Sequence, residues 1–82
     1  MKMKGTQLWV RHESGRTANV VQGIEPHLVM FGALPYAPDG KVISAGDGTV
    51  EIRVMNSSAT SMVKALLADQ QLVVERELEN ES

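Results

Sequence analysis

Residues 46–55, GDGTVEIRVM, carry the clearest structural signal in this chain. Val50, Ile52 and Val54 alternate with charged residues, which is the period-two pattern of a strand with one buried face. The glycine-aspartate-glycine step before them is typical of a tight turn, because glycine accepts a positive φ. A short run, KVISA (residues 41–45), precedes that turn. The stretch therefore predicts two strands of a β-hairpin and places an antiparallel sheet at the centre of the fold.

A second acidic-glycine step, Asp39-Gly40, lies just upstream and raises the question of a metal or phosphate site. A calcium loop needs acidic ligands at alternate positions, whereas Asp39 and Asp47 stand on either side of a predicted strand. A phosphate loop needs Gly-Lys-Ser/Thr at the start of a helix, but valine and a strand follow Gly40-Lys41. We expect both steps to be turns, with no metal and no cofactor.

The sequence before this hairpin divides into further apolar segments. Residues 6–13 alternate as a strand, and Ser14-Gly15 then offers a turn. Residues 16–22, RTANVVQ, are predicted to form a second strand. Residues 27–34, HLVMFGAL, are apolar on both faces, which is typical of a strand covered on both sides.

The sequence after the hairpin predicts one helix and a last strand. Asn56-Ser57-Ser58 offers helix caps, and strong helix formers follow, so we expect a helix over about residues 58–70. For residues 71–79 the two valines favour a strand. No glycine or proline separates the two segments, so one long C-terminal helix is the alternative.

Length and composition restrict the class of protein. The chain has 82 residues, which predicts a single small domain over residues 1–82, and its 43% hydrophobic and 22% charged residues are ordinary for a globular fold. There is no cysteine, which excludes disulfides, thiol catalysis and thiolate metal sites, and which fits a cytoplasmic location. No apolar run reaches the length of a membrane span, and no apolar segment follows the first lysines as in a secretory signal.

Charge is distributed unevenly along the chain. Four basic residues against one glutamate leave residues 1–22 with a net charge of +3, and four glutamates against one arginine leave residues 71–82 with −3. These two segments could attract each other within one chain or between two copies. Solvated ends without any partner are the simpler alternative.

No catalytic constellation is evident. His12 and His27 are the only imidazoles, and their spacing matches no zinc pattern. Ser14 is close to His12 in sequence, but it falls at the tip of a predicted turn and lacks the strand-turn-helix context of a nucleophile elbow. We therefore expect a protein that is not an enzyme.

Trp9, Arg11 and Arg16 are the candidate partner-binding residues. On the first strand, Trp9 and Arg11 point away from Leu8 and Val10, which are expected to face the core. Tryptophan and arginine are the residues most enriched at binding hot spots. The alternative is that another element covers this face, so that Trp9 belongs to the core.

The prediction is an α+β fold: about five antiparallel strands built from hairpins, one helix on one face, and a C-terminal edge strand. A homodimer that covers the open sheet edges is expected. The predicted function is a non-catalytic interaction or regulatory module that binds a protein partner through a hairpin face or a sheet edge. The alternative is a nucleic-acid-binding accessory protein, in which the basic N-terminal hairpin contacts phosphates and Trp9 stacks on a base.

Overall fold

The structure is a computed structural model, and it describes residues 4–36 and 48–81. Its elements, in chain order, are β1 (Lys4–His12), α1 (Thr17–Gly23), α2 (Glu25–Met30), β2 (Ala33–Tyr36), β3 (Thr49–Val54), α3 (Thr60–Asp69) and β4 (Leu72–Glu81). A 3₁₀ turn over Ser57–Ala59 leads into α3. The chain is therefore α+β, with short helices inserted between the strands.

Four strands among the described residues form one antiparallel sheet in the order β2-β3-β1-β4. Because β1 and β2 both run antiparallel to β3, they are parallel to each other with β3 between them. In the same way β3 and β4 flank β1. Two interlocked split β-α-β units with this order have the connectivity of the ferredoxin-like fold.

All three helices pack on one face of the sheet. They share a single core cluster with the inward side chains of β1 and β3. Each of these inward side chains, when fully buried, stabilises the fold by about 1.5–3 kcal/mol. The core residues that are at most 1% exposed are Leu8, Val10, Ala18, Val21, Leu28, Ala33, Val50, Ile52, Val54, Val63 and Leu67.

Two strand predictions were wrong. Residues 16–22 form α1, because burying Thr17, Ala18 and Val21 against the sheet requires the spacing of a helix rather than strict alternation. Residues 27–34 were expected to be one strand, but they end α2, turn at Gly32 with φ of 69°, and begin β2. Pro26 fits the first turn of α2, where its missing N–H has no helical partner to lose.

The sheet consequently has four described strands instead of about five, and more than one helix covers it. The strand predicted at residues 41–45 and the turn around Asp39-Gly40 lie outside the described residues. Gly48, which immediately precedes β3, adopts φ of 72°, the positive value expected of its turn. The Ser14-Gly15 turn is also confirmed: the Gly15 N–H donates to the His12 carbonyl at 2.9 Å.

The C-terminal half follows the prediction. The Asn56 side chain accepts a hydrogen bond from the Ser58 N–H at 3.1 Å, which caps the turn before α3. The helix α3 ends at Asp69, and β4 then forms an edge strand, so the long C-terminal helix is excluded. Among residues 4–36 and 48–81, no helix has both the length and the apolar character needed to cross a membrane.

The basic first segment and the acidic last segment meet within this chain. β1 pairs with β4 through nine residue pairs, from Lys4 opposite Glu81 to His12 opposite Leu72. The Lys4 ammonium lies 3.7 Å from the Glu79 carboxylate. Both side chains are more than half exposed, so this ion pair contributes little to stability.

Candidate functional site

The sheet face opposite the helices, here called the open face, is covered by no element among the described residues. Residues that pair side by side across antiparallel strands point to the same face, so the register defines its members. Their inward neighbours on β1 and β3 are buried, whereas most of the open-face residues are partly or fully exposed. The open face contains Gly5, Gln7, Trp9, Arg11, Leu34, Tyr36, Thr49, Glu51, Arg53, Val73, Arg76, Leu78 and Asn80.

Trp9 lies near the centre of the open face. It is on β1, an interior strand, and it is opposite Glu51 on one side and Arg76 on the other. The guanidinium carbon of Arg76 lies 4.8 Å from the centroid of the Trp9 ring. Such a cation–π contact at a partly exposed site contributes roughly 0.5–1 kcal/mol. Arg76 therefore covers one part of the ring and leaves Trp9 partly exposed.

A bulge in β4 aligns this pair. Trp9 is opposite Arg76 and Val10 is opposite Val74, so Glu75 is the extra residue between them. The Glu75 carboxylate reaches the Thr49 hydroxyl across β1, at 3.4 Å. The bulge thus brings two charged side chains of β4 to the open face around Trp9.

Five side chains form a connected line across all four strands, here called the polar row: Tyr36, Arg53, Glu51, Gln7 and Asn80. The Arg53 Nε–H donates to Glu51 Oε2 at 2.5 Å, and Gln7 Nε2 donates to the same oxygen at 2.9 Å. Asn80 Nδ2 donates in turn to Gln7 Oε1. The guanidinium carbon of Arg53 lies 4.1 Å from the centroid of the Tyr36 ring.

Glu51 is the buried charge of the polar row, and its side chain is 5% exposed. Burial raises the pKa of this carboxyl. The hydrogen bonds from Arg53 and Gln7, together with the charge of Arg53, lower it by a larger amount, so the pKa of Glu51 lies below its ordinary value. The hydrogen bond to Glu51 likewise raises the pKa of Arg53. The pair is therefore ionised at neutral pH.

The structure brings together two of the three residues predicted from the sequence. Trp9 and Arg11 are both on the open face, and Arg11 is exposed between Thr49 and Val73. Arg16 stands at the start of α1, which packs on the other face. Arg16 is exposed, but it is not part of the surface around Trp9.

Arg53, Arg76 and Tyr36 are the important members that the sequence reading missed. The alternation within residues 49–54 already separated Glu51 and Arg53 from the buried valines and isoleucine. What was missing was the strand register, which pairs Tyr36 with Glu51 and so brings the Tyr36 ring within reach of Arg53. Arg76 could be placed over Trp9 only with knowledge of the β4 bulge.

The loop after β1 holds the one histidine–serine contact noted from the sequence. His12 Nδ1 and Ser14 Oγ lie 2.8 Å apart, and the Ser14 N–H also donates to that nitrogen at 3.2 Å. These are bonds between residues two positions apart, and they close a turn in an exposed loop. Within residues 4–36 and 48–81, no group of three His, Asp or Glu side chains could hold a metal ion.

The helical side carries a shallow apolar groove between the end of α2 and α3. It is lined by Phe31, Met62, Ala65, Leu66 and Asp69. Met62 is 55% exposed. The groove lacks the combination of aromatic and arginine side chains found around Trp9.

Comparisons with protein-family models, curated proteins and solved structures found no match to this chain. The open face itself is therefore the guide to function. That face presents two aromatic rings, three arginines, hydrogen-bonding amides and apolar side chains on one sheet. This chemistry suits recognition of another molecule by contact.

Proposed function

We propose that this protein is a non-catalytic interaction or regulatory module that docks a protein partner through the open face of its sheet. The observation that carries the proposal is the Trp9–Arg76 pair, partly exposed at the centre of a face that no described element covers. Tryptophan and arginine near the centre of a surface are the residues that most often dominate binding energy. The sheet holds both in place before the partner arrives.

The composition of the open face supports a protein as the partner. Three arginines of the open face (Arg11, Arg53, Arg76) are balanced by Glu51 and by the Glu75 carboxylate that the bulge brings beside that face, which leaves only a small positive excess. Exposed apolar side chains accompany them: Leu34 is 37% exposed, Leu78 41% and Val73 63%. An aromatic and apolar centre with mixed polar groups is the usual anatomy of a protein interface.

The two sheet edges are less suited to docking than the face. β2 has only four residues and includes Pro35, which has no N–H to offer an added strand. β4 carries the bulge at Glu75 and exposed charges at Glu77 and Glu79. Short length, proline, bulges and charge are the features by which natural sheets resist edge pairing.

The test compares Trp9→Ala with Met62→Ala, a matched loss of an exposed apolar side chain on the helical side. A protein captured from the source cells is purified and its affinity measured with both variants. We expect Trp9→Ala to weaken binding about 30-fold, equivalent to the ~2 kcal/mol of a hot spot, and Met62→Ala to have little effect. Equal affinities of the two variants, or turnover of a substrate by the protein, would contradict the proposal.

A nucleic-acid-binding accessory protein is the second candidate, and the topology favours it. Small RNA-binding domains stack bases on aromatic side chains of a four-stranded sheet, and Trp9 has such a place on an interior strand. Against it, β3 offers Glu51 and Arg53 on this face instead of aromatic residues, and β4 is rich in glutamate. The proposed protein partner therefore fits better.

Labelled single-stranded and double-stranded oligonucleotides at low salt separate the two candidates. The second candidate predicts salt-sensitive binding that is lost on Arg11→Ala combined with Arg76→Ala, and that is retained by Arg16→Ala. No binding at low salt would eliminate it.

A homodimer and a cytoplasmic location complete the proposal. The homodimer expected from the sequence pairs sheet edges and leaves the open face to the partner, and the absence of cysteine agrees with a reducing compartment. Sedimentation over a range of protein concentrations tests the homodimer, and protection of Trp9 that is lost on dilution would place the open face in the self-association interface instead.

A further inference from the structure

We infer that the Arg53 end of the open face is a subsite for an acidic side chain, glutamate or aspartate, presented by the protein partner. This inference rests on the proposed function, because it concerns what the docked protein places against the sheet. The subsite is a shallow groove at one end of the sheet. It is lined by Gly5, Thr6, Gln7, Arg53, Val54, Met55 and Asn80.

The groove exists because β1 has a glycine where its neighbours carry side chains. A Cβ atom at Gly5 would lie 3.1 Å from the Val54 carbonyl oxygen, closer than ordinary van der Waals contact. Because Gly5 has no side chain, backbone atoms form the floor of the groove, and β1 can approach the end of β3. The side chains of Gln7, Arg53 and Asn80 surround this bare backbone.

Arg53 is held ready for a carboxylate. Its Nε–H is engaged by Glu51 at 2.5 Å, and its guanidinium lies over the Tyr36 ring at 4.1 Å. The two terminal nitrogens donate to no acceptor within residues 4–36 and 48–81, and the side chain is 40% exposed. A planar guanidinium binds a carboxylate through two parallel hydrogen bonds, and a guanidinium already fixed in place loses less entropy on binding.

The amides of the row extend the subsite on its other side. Gln7 donates to Glu51 and accepts from Asn80, so both of its amide atoms are occupied and its orientation is fixed. Asn80 uses one N–H for Gln7 and retains the second. The groove can thus offer donors from Arg53 and Asn80 to one incoming group.

A carboxylate fits these charges better than a phosphate does. Glu51 already neutralises the charge of Arg53, so the groove is close to neutral, and a singly charged group that takes the unused guanidinium donors is repelled less by Glu51 than a doubly charged one. Met55, which is 61% exposed, and Leu34 supply apolar surface for the methylene groups of an acidic side chain. These observations favour an acidic protein segment over a nucleic-acid backbone.

Two blocked tripeptides test the subsite, acetyl-Gly-Glu-Gly-amide and acetyl-Gly-Gln-Gly-amide, which differ in one carboxylate. Each is titrated into ¹⁵N-labelled protein while the side-chain N–H signals of Arg53, Gln7 and Asn80 are followed. We expect the dissociation constant obtained from these shifts to be at least tenfold lower for the glutamate peptide than for the glutamine peptide. Arg53→Lys should reduce that preference about tenfold, because lysine cannot form the paired bonds, while Arg16→Lys should leave it unchanged.

Asn80→Asp provides a second variant that leaves Arg53 intact and adds a negative charge beside the groove. It should abolish the preference for the glutamate peptide. Equal titrations with the two peptides, or a larger response to inorganic phosphate than to the glutamate peptide, would overturn the inference. Trp9→Ala should not alter the peptide titration, so loss of the subsite and loss of partner docking are measured separately.

Discussion

At the scale of single residues, Glu51 decides how the open face is organised. It is a nearly buried carboxylate that accepts from Arg53 and Gln7 on the side of the sheet away from the core. Removing one member of a buried ionic pair leaves the other member without its partner, which is costly. The same contacts that stabilise the carboxylate also fix the guanidinium over Tyr36, so fold stability and surface shape depend on one residue.

The lowered pKa of Glu51 predicts how its contribution depends on pH. The ionised form is favoured in the folded state, so the stabilisation is present above the pKa of the unfolded chain and is lost as pH falls through the folded value. We expect Glu51→Gln to reduce the free energy of unfolding by about 1–2 kcal/mol at neutral pH. The difference from wild type should shrink as the solution becomes acidic.

Urea unfolding over a pH series measures that difference. Glu79→Gln is the matched control, because Glu79 makes only an exposed ion pair with Lys4 and should change stability little at any pH. A difference between wild type and Glu51→Gln that stays constant from neutral to acidic pH would contradict the assigned pKa shift.

At the scale of elements, the connection from α3 to β4 depends on one strained residue. Gln71 has φ of 61°, and its N–H donates to the Ala68 carbonyl at 2.9 Å, which ends the helix. Helices commonly end in this left-handed conformation, but glycine is the usual residue there. Gln71 therefore carries conformational strain that lets β4 turn back alongside β1.

Replacing Gln71 with glycine should relieve this strain. We expect Gln71→Gly to raise the free energy of unfolding by about 0.5–1 kcal/mol, since glycine adopts positive φ without a steric penalty. Gln70→Gly is the control: Gln70 is also exposed but has φ of −96°, so glycine there should destabilise by a similar amount. Thermal or urea unfolding of the two variants gives the signs, and a loss of stability in Gln71→Gly would contradict the structure at this turn.

The elements that could be predicted from sequence were those with long, consistent patterns. The alternation in β3 and the helix formers of α3 needed no further information. α1 has only seven residues, and its Asn-Val-Val centre suits a strand, so its helical form follows from packing on the sheet. Gly32 divides a continuous apolar run whose strand-like pattern hid the end of α2.

The site was predictable only in part, for a related reason. Alternation along β1 was enough to place Trp9 and Arg11 on the same face. Strand order and register come from long-range pairing, and they alone bring Arg53, Arg76 and Tyr36 into the same surface. Arg16 lies away from Trp9 because the residues that follow it form the helix α1 on the other face instead of the predicted strand.

At the scale of the whole molecule, helices cover one face of the sheet, and no element among residues 4–36 and 48–81 covers the other. The helices and the inward strand residues form a single core on one side. The other side is organised by the polar row and by the Trp9–Arg76 pair. The proposed function and the inferred acidic subsite both require that this second face is accessible in solution.

The most direct test of that requirement is the fluorescence of Trp9, the lone tryptophan, recorded with a neutral quencher across a dilution series. We predict partial quenching, between that of a buried and a free tryptophan, and we expect it not to change with dilution. Quenching should increase in Arg76→Ala, because the guanidinium over the ring is lost. Blue-shifted emission with no access to quencher at any concentration, in wild type and Arg76→Ala alike, would contradict an open face.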